Sequence, residues 1–168
     1  SLLIADMTNE EAQLLDEGVI DTYARKGITT DNSTLYDEND PSKLKEMPIL
    51  GDLYVLLDNN PDTKRLATIL GRFVKGSAKS FNQQTNVDLN NKYIVFDISE
   101  LQGSLLPVGM FIVLDYVWDK VKEDRTKKKA VFIDEIWKLI GASSNKFAAE
   151  FVLEIWKIIR GYGGASIA

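Results

Sequence analysis

The sequence predicts an α/β fold: a parallel sheet with covering helices, preceded by a largely helical first half. Three observations predict it. The second half alternates strand-like runs at 92–97, 130–135 and 163–168 with helix-like segments at 105–121 and 143–160. Strand, helix, strand, helix, strand implies parallel strands joined by crossovers. The strand runs are continuous and apolar, as in a sheet buried on both faces. The first half carries its apolar residues at helical spacing instead. Residues 1–85 are therefore assigned to a helical subdomain and 86–168 to an α/β core.

The elements follow in order. Thr8 and Glu11 have the spacing of a capping box. Leu14, Leu15, Val19, Thr22 and Tyr23 then recur at helical intervals, and Gly27 closes the segment. Residues 29–46 are polar and read as a long surface loop. Pro48 opens a short helix holding Ile49, Leu50, Leu53, Tyr54, Leu56 and Leu57. Asn60-Pro61 reads as an N-cap followed by proline at the first helical position. The next helix buries Leu66, Ile69, Leu70 and Phe73 and ends near Gly76. In the second half, Ser104 is expected to cap a helix that tolerates Pro107 in its first turn. Phe147, Phe151, Ile155, Trp156 and Ile159 form the apolar face of the last helix, and Gly161 is placed at its stop. Trp118, Trp137 and Trp156 read as packing residues, although Trp137 could border a nucleotide pocket.

Composition narrows the chemistry. With 168 residues, 45% hydrophobic and 27% charged, the chain suits one globular core. It has no cysteine and no histidine. Disulfides, thiol nucleophiles, His-based triads and His- or thiolate-ligated metals are excluded. A metal would sit on oxygen ligands, which favours Mg²⁺. A net charge of −5 gives no general attraction to nucleic acid or anionic lipid. Lys127-Lys128-Lys129 is one small basic candidate, read as a solvated turn before a strand. The longest apolar run, 105–114, is too short for a bilayer, which needs roughly 20 apolar residues. The final run, Gly163-Gly164-Ala165-Ser166-Ile167-Ala168, reads as an interrupted core strand, so the chain is expected to be a piece of a longer domain.

The sharpest chemical feature is Ala130-Val131-Phe132-Ile133-Asp134-Glu135. In a parallel sheet, ligands bind beyond the carboxyl ends of the strands. A strand ending in Asp-Glu delivers two carboxylates to that edge, one to hold Mg²⁺ through its water shell and one to polarise water for attack on a γ-phosphate. The plain alternative is a strand that leaves the core at two acidic residues. Asp97 ends the preceding run in the same way and could join the outer shell of the metal or close its own loop. Arg160-Gly161-Tyr162-Gly163-Gly164 could set an arginine near the same sheet edge, where guanidinium suits phosphate. The alternative is a cation at a helix C-terminus followed by a glycine stop. Residues 71–80 imitate a phosphate loop, but Lys79 is displaced by two positions and the segment follows a helix, not a strand. Nowhere do the 168 residues contain Gly-x-x-x-x-Gly-Lys-Ser/Thr.

At Val131-Phe132-Ile133-Asp134-Glu135-Ile136-Trp137 and Arg160-Gly161-Tyr162-Gly163-Gly164-Ala165 the sequence resembles the large cytoplasmic ATPases of type IV secretion and conjugative transfer, in the HerA/FtsK superfamily of hexameric pumps. Residues 93–101 resemble that family's strand before the second acidic motif, and residues 8–81 its helical insertion. The resemblance implies a partial P-loop (RecA-like) fold with a helical insertion. It implies ATP and Mg²⁺ as cofactors of the whole protein. Asp134 would be the Mg²⁺-associated carboxylate, Glu135 the water-activating one, and Arg160 a nucleotide-sensing or intersubunit arginine. The family's phosphate loop would lie before Ser1 and its polar sensor after Ala168. The 168 residues alone are thus expected to bind no cofactor, hydrolyse no ATP and remain monomeric, while the whole protein forms a homo-hexamer. The implied partners are other secretion-system subunits and the translocated DNA or protein, at the cytoplasmic face of a bacterial membrane. An AAA+ ATPase carries a similar acidic strand and stands as the alternative, as does a non-catalytic protein-docking module.

Overall fold

The computed structural model describes residues 4, 6–86, 91–101, 103, 105–136 and 146–168. They divide into two units, Ile4–Asn90 and Asn91–Ala168.

The first unit is helical. Helix α1 spans Asn9–Arg25 and starts at the expected capping box: the Glu11 N–H donates to Thr8 Oγ1 (3.1 Å) and the Thr8 N–H to Glu11 Oε2 (3.0 Å). Two donors that the first turn leaves unpaired are thereby satisfied. Glu11 also accepts Arg65 Nη1 at 2.6 and 2.8 Å, which ties α1 to the helix that carries Arg65. The backbone bond from Thr8 leads, and the Arg65 bond follows, in holding the Glu11 carboxyl below its ordinary range. Helix α2 runs Leu50–Asp58, and Asp52 Oδ2 accepts the Ile49 N–H at 2.9 Å. Asn60 then caps a 3-10 turn, Pro61–Thr63, and the buried Thr63 hydroxyl donates to Leu57 O at 2.7 Å, closing the end of α2. Helix α3, Lys64–Val74, turns Leu66, Ala67, Leu70 and Phe73 inward. Ile4, Leu57, Leu66, Ala67 and Leu70 form the core, with Leu15, Leu50 and Leu53 against it. A side chain at Gly18 would press on Leu57 at 3.2 Å, so α1 and α2 meet closely there.

Two features of this unit add detail to the expectations. Val19 and Tyr23 of α1 are 38% and 39% exposed, not core. The polar loop is ordered: Tyr36 and Leu44 form a β-bridge, and Asp31, Asp37 and Asp40 each accept backbone N–H groups two residues on. Gly76 ends α3 as expected; a Cβ there would lie 2.8 Å from Arg72 O. Gly71 lies inside α3, so the glycine-lysine segment follows no strand.

The second unit holds α4 (Leu105–Glu123), β1 (Lys129–Phe132), α5 (Lys146–Ile158), a 3-10 turn (Ile159–Tyr162) and β2 (Gly164–Ile167). Strands β1 and β2 are parallel, with Lys129 opposite Gly164 and Phe132 opposite Ile167. Such a pair needs a crossover, and α5 lies within it. Val131 and Ile133 pack on a core of Met110, Leu114, Val121, Val152, Ile155 and Ile159, contributed by α4, α5 and the turn after α5. Trp118 and Trp156 flank this core as expected. Ser104, Trp137, the side chain of Phe147 and residues 143–145 lie outside the described residues.

Three expectations are corrected here. Residues 92–97 form no strand; Tyr93 and Val95 are 81% and 71% exposed, because an apolar run becomes a strand only where a neighbour completes its ladder. Among the described residues the sheet is covered on one face only: Ala130, Phe132, Ala165 and Ile167 point outward, since α4 and α5 both pack on the Val131 side. The chain passes Gly161 in 3-10 conformation and reverses at Gly163, whose φ is +75°.

Two substitutions check the first unit. Thr8→Ala should destabilise it by about 1 kcal/mol through loss of the cap. Leu66→Ala, at 1% exposure, should cost about 2–5 kcal/mol. Urea denaturation followed by a probe placed within residues 4–90 measures both.

Candidate functional site

The acidic pair sits at the carboxyl end of β1. The ladder continues one step past the strand, where the Ile133 N–H donates to Ile167 O at 2.9 Å. The chain then turns through Asp134, Glu135 and Ile136, with both carboxylates exposed. Glu135 adopts φ +58°, a left-handed conformation that costs a non-glycine residue about 1–2 kcal/mol. Such strain gathers where a side chain must be aimed rather than merely accommodated.

Asp97 is placed differently from the expectation of a strand end. Its Oδ1 accepts the Ser99 N–H at 2.9 Å, closing a local turn. That backbone hydrogen bond, supported by the Ser99 side chain, lowers the Asp97 carboxyl from its ordinary value.

Arg160 is also placed differently. It lies in the 3-10 turn that precedes β2, and β2 begins opposite Lys129. In a parallel pair this is the amino edge, whereas Asp134 and Glu135 leave from the carboxyl edge. At about 3.3 Å per residue, the five steps from Lys129 to Asp134 span roughly 16 Å. Arginine and carboxylates therefore do not share an edge, and the side chain of Arg160 is exposed.

Lysine 129 is the residue whose role the sequence reading missed. It is half-buried, and its ammonium donates to Val121 O (2.7 Å), Tyr162 O (3.3 Å) and Asp124 O. Carbonyls at the end of α4 thereby gain a cation. Only Lys127 and Lys128 match the expected solvated turn; both are exposed, and Lys127 pairs with Asp124 at 3.3 Å. A signal was present in the strand's period of two, since Lys129 shares its parity with the inward Val131 and Ile133. Around the same turn the Tyr162 ring receives the Arg125 guanidinium at 4.2 Å and the edge of Trp118 at 5.1 Å between centroids.

A pocket of about 330 Å³ lies elsewhere, within the helical unit, lined by Val19, Tyr23, Pro48, Leu53, Phe81 and Gln84 among others. No cluster of three or more acidic side chains able to cage a metal occurs among the described residues. A pair of carboxylates suits Mg²⁺, which keeps several waters and draws its other ligands from phosphate oxygens. No helix among the described residues is long and apolar enough to cross a membrane.

The TraG P-loop domain family matches residues 50–168. Among solved structures, VirB4 of Thermoanaerobacter pseudethanolicus superposes with a TM-score of 0.78 at 28% identity, over 99% of this chain and 46% of that one. The chain thus spans about half the length of that protein. No curated protein matches.

The loop beneath Arg160 carries a measurable pH signature. Thr126, through its hydroxyl and its backbone N–H, holds the Asp124 carboxyl down to about 2, with Lys127 adding to it. The folded value lies below the unfolded one of about 3.9. This contribution is therefore complete above pH ~4 and lost as pH falls through ~2. Asp124→Ala should melt at a lower temperature than the parent chain at pH 7, and the gap should close as the pH approaches 2 in a series of thermal scans.

Proposed function

The chain belongs to the TraG P-loop domain family, and on that premise we propose that it forms part of an ATPase powering DNA or protein translocation, or assembly of the apparatus, in a conjugative type IV secretion system. The observation that carries this reading is the parallel strand that ends in Asp134-Glu135 with Glu135 held in a left-handed conformation. Asp134 would hold Mg²⁺ through its water shell. Glu135 would orient and polarise the attacking water. When bound, Mg²⁺ neutralises charge developing on the transferred phosphoryl oxygens. Asp97 would keep the loop-closing role that its bond to Ser99 supports.

Arg160 would serve a neighbouring copy, because its own sheet separates it from Asp134 and Glu135. The active protein would then be an oligomer, in this family's manner a hexamer, at the cytoplasmic face of a bacterial membrane. Residues 8–81 would be a helical insertion within the domain. By themselves the 168 residues carry no phosphate loop, so nothing supplies the backbone N–H groups and lysine that cradle β- and γ-phosphates.

A second reading has one observation in its favour. The apolar pocket beside the exposed Val19 and Tyr23 suits a helical unit that docks partner proteins, with the sheet as scaffold.

Steady-state ATP turnover by the full-length protein distinguishes the two. Glu135→Gln should lower kcat about 10²–10⁴-fold, the usual contribution of a positioned general base. Unchanged turnover and unchanged transfer would favour the docking reading. Mixing Glu135→Gln copies with Arg160→Ala copies should restore part of the lost rate, since some sites then pair an intact carboxylate with an intact neighbouring arginine. No recovery on mixing would mean that Arg160 acts within its own chain or not at all. The isolated 168 residues should show no Glu135-dependent turnover.

A further inference from the structure

Arg160 stands on a turn fixed from four directions. Ile159, immediately before it, is fully buried in the core. Gly163 ends the turn in left-handed conformation, and its N–H returns to Arg160 O at 3.2 Å. A Cβ on Gly163 would lie 2.9 Å from Arg125 O and 3.0 Å from Lys127 O, so the loop backbone is seated directly against the turn. The Tyr162 ring is held between Arg125 and Trp118. Beneath these contacts, Lys129 joins the end of α4 to Tyr162 through its three carbonyl acceptors.

An ammonium has three donors, and here each has an acceptor. That satisfaction is what makes a half-buried charge tolerable. A residue serving only the end of α4 would need Val121 O and Asp124 O. The bond to Tyr162 O instead reaches a separate segment, two residues from Arg160. The side chain of Arg160 itself points to solvent. A rigid backbone beneath an exposed guanidinium is the arrangement expected where the guanidinium must meet its target already oriented, because ordering it at that moment costs rate.

We propose that Lys129 is a positioning residue: it locks the 159–163 turn so that Arg160 is presented, preorganised, to the nucleotide site of a neighbouring copy. This rests on the trans role given to Arg160 above. It adds that the arginine's effectiveness depends on an inward lysine at the start of β1.

The test is a double-mutant cycle in the full-length protein, read as kcat for ATP together with nucleotide affinity and oligomeric state. Arg160→Ala should lower kcat about 10³-fold or more, as loss of an arginine acting on transferred phosphate does. Lys129→Met should lower it about 10–100-fold, the scale of a misplacement near 1 Å. ATP affinity and assembly should be unchanged. Lys129→Met added to Arg160→Ala should cause no further loss, and Lys129→Arg should retain most of the rate. Multiplicative losses in the double variant would overturn the proposal, since Lys129 would then act on the whole domain. Where Lys129→Met does not fold, Arg125→Ala removes only the exposed stacking cation, and the same lack of additivity with Arg160→Ala decides the matter. Glu135→Gln is the control. Unchanged turnover there removes the functional reading and this inference with it. A large loss there, with none in Arg160→Ala, overturns this inference alone.

Discussion

Four residue pairs orient the second half of the molecule. Because Lys129–Phe132 lies parallel to Gly164–Ile167, the sheet has a direction, and its two ends differ in chemistry. One end releases the carboxylates of Asp134 and Glu135; the other receives the turn that carries Arg160. A parallel ladder this short would not hold in water by itself. It is held by its inner face, where Val131 and Ile133 pack on Val152, Ile155 and Ile159. Those three residues belong to the crossover, so the segment that makes the pairing possible also supplies the burial that sustains it. The placement of every candidate catalytic group therefore follows from apolar contacts that none of those groups makes.

The helical unit is held by a different economy. Several of its side chains act twice. Glu11 caps α1 and receives Arg65 from α3. Thr63 ends α2 while leading into α3. Joint use of this kind lets helices of nine to seventeen residues share one small core. It also leaves part of α1 uncovered, which is why Val19 and Tyr23 border a pocket rather than fill a core.

Local chemistry and the parallel relation of the last two strands were legible in the sequence; the lack of a partner for residues 92–97 was not. The Thr8–Glu11 box and the Asn60-Pro61 start involve atoms within three residues of one another, so spacing alone specifies them. Residues 92–97 have the composition of a strand, but a strand is a relation to a second segment, and composition cannot supply the partner. Gly161 was read as the stop, but the chain reverses at Gly163, whose amide reaches Arg160 O and which sits against the loop after α4. Lys129 was misread because it was grouped with its neighbours rather than with Val131 and Ile133. The separation of Arg160 from Asp134 was implicit in the parallel reading itself. An arginine that precedes a strand must lie at that strand's amino end, and the Asp-Glu pair that follows a parallel neighbour must lie at the other.

That separation has a consequence for assembly. In a two-fold dimer residue i of one copy meets residue j of the other and j meets i, so one patch would have to hold the arginine turn and the acidic turn together, although they leave opposite ends of the sheet. A head-to-tail contact between unlike surfaces brings Arg160 of one copy to Asp134 and Glu135 of another without that condition. Contacts of that kind propagate, and they close into a ring when the rotation between neighbours divides a full turn. In such a ring every copy gives an arginine and receives one, so each site reports the state of the copy beside it. An exposed arginine on a rigid turn is suited to that role: the turn ties the guanidinium to the core of its own subunit, so a shift of that core on one side of the interface is felt as a change of charge placement on the other.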